Sequence, residues 1–265
     1  MPADRSPFPL SRWVAEPILT GVGRRPMSPG AAPYDNVAAA SAGDASAWVR
    51  SLDGDWAFRL RGRVDAVTDA DVDPATSTDS WDAVAVPGTW VLQGHGAPIY
   101  LNIRMPFPGQ APQVPDDNPT GVYRRTFTVP ASWRTRRTFL RVGAANSMGF
   151  VWINGHFLGI GTDSHLASTF EVTSVLRRGT NHVAIVVPRW SAATWVEDQD
   201  QWWMPGLHRS VELVSVPPVA LGDVALTPGL MTDGTTGHLG VDVGVDRATP
   251  LAPGWTVEVT VTSPR

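Results

Sequence analysis

The chain has 265 residues, a net charge of −4 and 43% hydrophobic residues, enough for one large β-domain or for one domain and part of another. The acidic balance excludes the electrostatic footprint of a nucleic-acid binder. With no cysteine, a disulfide framework, a thiolate nucleophile and a cysteine-built metal centre are excluded as well.

The opening residues, MPADRSPFPLSRWVAEPILT, hold no unbroken apolar run with a cleavage pattern after it. No stretch approaches the ~20 apolar residues of a spanning helix. These features, with the lack of cysteine, predict a cytoplasmic protein without a membrane partner. The histidines are scattered and form no HExxH pair, so a zinc hydrolase is not indicated.

Residues 1–47 are rich in Pro, Gly, Ala and Ser and show no sustained period. They read as an irregular arm, ordered only where it lies against something, with Trp13 as one anchoring point. The domain proper starts at Trp48. DWAFRL (55–60) sets Trp56, Phe58 and Leu60 on one face of a half-buried strand. WDAVAV follows a polar loop and ends at Pro87-Gly88. Residues 102–121 hold five prolines, which no helix or central strand accommodates.

VYRRTFTV (122–129), RTFLRVG (137–143) and MGFVWI (148–153) are further strands. The basic run Arg134, Arg136 and Arg137 reads as a solvated turn. Asn154-Gly155 is the strongest turn signal, a type I′ hairpin. FEVTSVLRRGTNHVAIVV (170–187) gives a strand end, a turn and a Val/Ile-rich strand. Many short strands with almost no helical period predict an all-β jelly-roll sandwich over residues 48–218. Eleven of the twelve tryptophans fall within the chain up to its end and help to fill its core; Trp255 lies beyond. At Pro217-Pro218 the aromatics fade. Residues 219–265 predict three strands, VALGDVALTP, GHLGVDVGVD and WTVEVTVTS, of a second β-sandwich cut short.

The densest chemistry is WVEDQDQWWMPGLHR (195–209), where Glu197, Asp198 and Asp200 stand between Trp195 and the pair Trp202–Trp203. Solvated acids, or acids salt-bridged to Arg189 or Arg209, are the simpler reading of Glu197 and Asp198. The alternative is a cleft edge for a polar, flat-faced ligand. A carboxylate accepts from vicinal hydroxyls, an Asn donates and accepts, and sugar C–H faces lie well on aromatic rings. On an extended backbone Trp202 and Trp203 point opposite ways, so one belongs to the core. His208 reads as a surface residue, His156 as exposed, and Tyr123 as packing beneath the turn at Asn118–Gly121.

SLDGDWAF, VPGTWVLQGHGAPIYLN, NPTGVYRRTF, NSMGFVWINGHFLGIGTDSHLASTFEVTSVLRRGTN and RWSAATWVEDQDQWWMPGLHRSVEL occur in this order. Together they resemble the amino-terminal jelly-roll sugar-binding domain of the β-galactosidases of glycoside hydrolase family 2, nearly without a gap over residues 50–218. Residues 219–265 resemble the start of the family's next, immunoglobulin-like domain. The resemblance implies that catalysis belongs to a later (β/α)₈ barrel carrying two glutamates, so this chain alone is expected to be inactive, with no catalytic residue.

It also implies that Asn102 reaches into a galactose subsite and that Asp200 binds sugar hydroxyls. Asp200 would share a sodium ion with barrel ligands, while Trp202 and Trp203 offer an aromatic wall. Sodium and magnesium are implied for the complete enzyme, the magnesium ligands lying outside this chain. The implied partners are a β-galactoside, a catalytic barrel or complementing chain, and a homo-oligomer. The family pattern departs at Ser191–Thr194 and at Pro205. β-Glucuronidases and β-mannosidases share the jelly roll, and GAPIYLN with EDQD favours galactoside. An autonomous carbohydrate-binding module and a scaffold for subunit contacts are the competing functions.

Overall fold

The computed structural model describes residues 6–28, 31–102, 104–197 and 199–262. Among these residues a seven-stranded sheet faces a four-stranded one. In spatial order the larger sheet runs Gly21–Val22, His156–Thr162, Met148–Ile153, Thr180–Pro188, Thr120–Thr128, Gly54–Arg61 and Asp82–Val86, each neighbour antiparallel. The smaller runs Ser168–Glu171, Arg137–Val142, Val211–Val216 and Val49–Ser51. This is the all-β sandwich that the short alternating runs predict.

Local chemistry explains the elements. In Gly54–Arg61, Trp56 and Phe58 are buried, Leu60 is half-buried, and the intervening residues stay wetter. Asn154 and Gly155 take φ of 52° and 81°, the doubly left-handed pair that a type I′ turn requires between Met148–Ile153 and His156–Thr162. Side chains from both inner faces, among them Trp56, Phe58, Tyr123, Leu140, Ile185 and Leu213, fill the space between the sheets. The Phe58 and Tyr123 rings meet edge-on, 4.9 Å apart.

The larger sheet is buried on its outer face too. Val122, Phe150, Trp152 and Val186 alternate with the inner-facing residues and pack against Leu10 and Val14 of the amino-terminal arm and against Val64, Val67 and Val72. The arm is therefore more regular than its composition suggests, carrying short helices at Ser11–Val14 and Val37–Ala42 and the edge strand Gly21–Val22. Trp13 packs against this outer-face cluster, and its indole N–H donates to the Pro7 carbonyl at 2.9 Å. The arm's strand approaches its partner so closely that side chains are excluded. A Cβ on Gly159 would lie 1.8 Å from the Val22 carbonyl oxygen, and one on Gly23 would lie 2.1 Å from that of Leu158.

Three expectations need correction. The basic run is only partly solvated: Arg134 is exposed in a turn, but Arg136 and Arg137 are not. Arg136 stacks on Trp48 at 3.6 Å and bonds Ser215, while Arg137 is 6% exposed and makes a two-pronged contact with Glu171. The indoles need partners for their faces, and guanidinium stems supply them. Second, not every tryptophan before Trp255 is core: Trp202 is 51% exposed. Third, residues 219–262 hold two strands rather than three. Val219–Leu230 and Gly237–Arg247 form an antiparallel ribbon, and residues 255–262 take no strand pairing. Without a layer on its apolar side, the ribbon leaves Leu221, Leu226 and Leu230 exposed. The described residues therefore display no second sandwich.

The ribbon is tied to the sandwich by charge. Asp246 lies 2.8 Å from Arg137 and 2.9 Å from Arg25, so one carboxylate joins ribbon, smaller sheet and arm. Burial opposes its ionisation, but the two guanidiniums outweigh that and hold the carboxyl below its ordinary range.

Two outcomes follow from these contacts. Gly159→Ala should push the arm's strand off the sheet, costing about 1–3 kcal/mol as overpacking does; hydrogen exchange at Val22 checks it, and unchanged protection there refutes the close-approach argument. Asp246 is a depressed carboxylate, so its stabilisation is present above the unfolded carboxylate range of about 4 and is lost as pH falls through the folded value. Exchange protection of residues 219–247 should thus be flat from about pH 5 to 8 and drop in acid. Asp246→Asn should lower it by roughly 1.5–3 kcal/mol between about pH 5 and 8, the scale of a charged hydrogen bond, and the difference from the unsubstituted chain should vanish in acid.

Candidate functional site

Two short segments about a hundred residues apart make a small ribbon at one end of the sandwich. Ile99–Leu101 pairs with Gln201–Trp203 in antiparallel register, Gln201 opposite Leu101, Trp202 opposite Tyr100 and Trp203 opposite Ile99. Side-chain alternation then divides the chemistry. Ile99 and Trp203 turn inward, and Trp203 is 4% exposed. Tyr100 and Trp202 turn outward as a cross-strand pair, rings 5.4 Å apart, 45% and 51% exposed.

Asn102 and Asp200 lie one residue past the last paired positions, Leu101 and Gln201, and both are exposed. The fold thus brings together the two polar residues singled out from sequence. Tyr100, which sequence reasoning missed, donates its hydroxyl to Asp200 Oδ1. That bond is the main cause holding the phenol above its ordinary range, and partial desolvation and the carboxylate's charge push the same way. The signal was present as the alternation Ile-Tyr-Leu-Asn, which puts Tyr100 and Asn102 on one face. Of the two indoles read as an aromatic wall, Trp203 is core. The exposed wall is Trp202 with Tyr100.

A separate aromatic core supports this ribbon. Trp203 meets Trp190 at 5.4 Å and 72°, and Phe107 lies 5.3 Å from Trp190 and 5.4 Å from Trp195. Ile99, Met105 and Val114 close the cluster, so the proline-rich loop folds over it. Polar anchors fix the loop. Asn118 donates to the Trp190 carbonyl and accepts from its N–H, both at 2.9 Å. The Trp195 indole donates to the Gln113 carbonyl at 2.9 Å. Tyr123 lies in the main core against Trp56, Phe58 and Trp90.

Arg189, 7% exposed, donates to the carbonyls of Ala97 and Trp203, tying both strands of the ribbon to the sheet behind. It forms no ion pair with Glu197. That carboxylate instead accepts from the backbone N–H of Ser164 at 3.0 Å and from its hydroxyl. Glu197 is therefore a structural acceptor, while Asp198 lies outside the described residues. His208 is half-buried, edge-on to His165 at 5.4 Å, and burial holds its imidazole below the ordinary range. His156 is exposed.

Chemically, the outer face offers one carboxylate with an oxygen beyond the one Tyr100 engages, one amide and two ring faces. That set suits a polyhydroxylated ligand. For a cation it offers Asp200 as a single hard oxygen donor. No group of three or more His, Asp or Glu side chains among the described residues is placed to hold a metal ion. No helix among them is long and apolar enough to cross a membrane.

Residues 49–217 match the signature of the sugar binding domain of glycosyl hydrolases family 2. The chain is 42% identical to a β-galactosidase of Arthrobacter sp. (strain B7) over 81% of its own length and 23% of that protein. It is 38% identical to a β-galactosidase of Pectobacterium atrosepticum over 86% of itself and 22% of the relative. It therefore spans about a quarter of the length of these relatives. Among solved structures, a Bifidobacterium dentium β-glucuronidase superposes with a TM-score of 0.55 at 24% identity, covering 75% of this chain and 36% of that one. At that identity the likeness speaks for the fold.

The Tyr100–Asp200 contact has a spectroscopic signature. Asp200→Asn should let Tyr100 ionise at lower pH, nearer the ordinary phenol value of about 10, visible in tyrosine-ring NMR through an alkaline titration. An unchanged Tyr100 midpoint would refute the contact.

Proposed function

Since the chain belongs to glycosyl hydrolases family 2 through its sugar binding domain, we propose that it is the amino-terminal region of a β-galactosidase. In this reading it forms part of a galactose subsite and supports a catalytic (β/α)₈ barrel carried by further sequence or by a complementing chain. The observation that carries the proposal is the juxtaposition of Asn102 and Asp200 on the exposed face of one ribbon, beside the Tyr100–Trp202 pair. Identity near 40% to β-galactosidases supports galactoside as the substrate class.

The work of the site is recognition. Asp200 accepts hydroxyl hydrogen bonds through the oxygen that Tyr100 leaves free, and Asn102 completes the polar edge. Such contacts discriminate hydroxyl position more sharply than an apolar wall, because a mismatched sugar leaves a desolvated carboxylate unpaired. A sodium ion bound at the seam would take Asp200 as one ligand and supply positive charge beside the sugar. Magnesium ligands belong to the remainder of the enzyme. Hydrolysis with retention needs two carboxyl groups about 5–5.5 Å apart, and Glu197, committed to Ser164, is no candidate for that pair. A cytoplasmic location and a homo-oligomeric state complete the reading.

A second reading, an autonomous carbohydrate-binding module, is favoured by the exposed Tyr100–Trp202 pair, since sugars stack on such faces.

One set of measurements separates the readings. In the full-length enzyme, Asp200→Asn should lower kcat/KM for a nitrophenyl β-D-galactoside by about 10- to 100-fold, the equivalent of 1.5–3 kcal/mol. Asn102→Ala should be milder. The 265-residue chain should hydrolyse nothing by itself and bind galactose no tighter than millimolar, because two polar residues do not recover the entropy of fixing a ligand. Wild-type kinetics at Asp200→Asn with micromolar binding to the isolated chain would overturn the subsite and favour the module. A full-length enzyme preferring the β-D-glucuronide would move it to the glucuronidase branch.

A further inference from the structure

We propose that a cleft on the outer face of the larger sheet, floored by Arg124 and walled by His182 and residues 74–79, binds a phosphate group, free or carried by a small hydroxylated molecule. This proposal is independent of the galactoside reading. It concerns a different part of the sandwich and different residues.

Alternation along Thr120–Thr128 sends Val122, Arg124 and Thr126 outward. The cross-strand partners of Arg124 are Ala57 and Ala184, so small side chains flank the guanidinium and leave the sheet open around it. Thr126 stands opposite His182. The loop Pro74–Asp79 arches over them, enclosing a cleft of about 540 Å³. That volume falls in the range of small-molecule sites rather than of a lone bound water.

The decisive feature is Arg124. It is 6% exposed, and its one hydrogen bond runs from Nη1 to the Thr76 carbonyl at 2.8 Å. Among the described residues no carboxylate stands within ion-pair distance of it, though Asp71 and Asp73 are near enough to be felt. Asp71 is taken by Arg61 at 2.5 Å, and Asp73 accepts from the Ala75 N–H. Trp81 offers its face at 5.5 Å but shares it with Arg59 at 4.5 Å. A guanidinium has five N–H donors and cannot shed its charge, so a buried one with a neutral acceptor and half a ring face is under-compensated. Burial accordingly pulls its pKa down. A planar fork facing a polar cleft matches the geometry of a phosphate.

The other walls agree. Ser77, Thr78 and Thr126 bring hydroxyls, and the Ser77 oxygen accepts from the Asp79 N–H at 3.0 Å, which leaves its proton free to donate. His182 is half-buried. Burial first, then Arg124 and Arg177, hold its imidazole below the ordinary range, so at neutral pH it is uncharged. A bound anion would reverse that balance and protonate it. Arg125 also borders the cleft, its Nη1 bonded to the Asp55 carbonyl at 2.9 Å. Asp55 and Asp79 sit exposed at the rim. They would repel an anion approaching along them, yet they are well placed to accept from hydroxyls of a carrier whose phosphate has reached the floor.

The test follows the His182 ring by NMR in the intact chain at constant ionic strength, titrating inorganic phosphate, a hexose 6-phosphate and chloride. Saturable shifts with a raised His182 midpoint are expected for the phosphates and none for chloride. Half-saturation by the ester at one-tenth the phosphate concentration or less assigns the ligand to a phosphorylated carrier; equal values assign it to free phosphate. Because Arg124 also holds the loop, the chosen variant is Thr126→Asp at an exposed position, which places a carboxylate at the mouth. It should weaken phosphate at least tenfold with the circular dichroism unchanged. Shifts that track chloride, that never saturate, or that are unaffected in Thr126→Asp overturn the proposal.

Discussion

Burial of the larger sheet on both faces is the constraint from which most of this structure follows. Met148–Ile153 is buried at every position, so its residues serve two cores at once. Antiparallel sheets usually keep one wet face. Here the outer face is apolar around Met148–Ile153, beside the polar cleft at Arg124 and His182, and leaving Phe150 and Trp152 in water would forfeit about 1.5–3 kcal/mol for each side chain. The amino-terminal arm has to lie down on it. That requirement explains why a segment with the composition of a linker has a fixed path and an edge strand, with Gly23 and its neighbour Gly159 each pressed against a carbonyl across the contact.

The same logic separates the site from the sandwich. Its ribbon rests on a third aromatic cluster, around Trp190, Trp203 and Phe107, rather than on the intersheet core. Arg189 and Asn118 connect the two through backbone carbonyls and amides, bonds that fix position without depending on the identity of the outward side chains. The acids amid the tryptophans therefore have different duties. Glu197 caps Ser164 within the fold, whereas Asp200 stands clear of it.

Much of the sandwich was legible because period-two alternation and turn chemistry are local signals. Trp56 and Phe58 announce an inward face, and Asn154-Gly155 announces its turn, from a handful of neighbours. Asn102 and Asp200 were singled out through family resemblance, but the ribbon that carries them was not foreseen, since pairing Tyr100 with Trp202 spans about a hundred residues. The basic run was misread for a related reason. Arg137 looks solvated until Glu171 and Asp246, both distant in sequence, arrive around it. Residues 255–262 alternate as a strand should, yet alternation states only which face would be buried and does not supply a neighbour to pair with.

The wide sequence separation of the site ribbon also sets an order of events during synthesis. Ile99–Leu101 leaves the ribosome roughly a hundred residues before Gln201–Trp203, which at about 5–20 residues per second is a delay of some seconds. Throughout that interval the first strand has no partner, and Ile99 has no Trp203 to pack on. Closing so long a loop is entropically costly and slow compared with the hairpins of the sandwich. This ribbon is therefore among the last parts of the fold to exist. Until it closes, a nascent chain presents an open apolar strand where the finished one presents Tyr100, Asn102, Asp200 and Trp202.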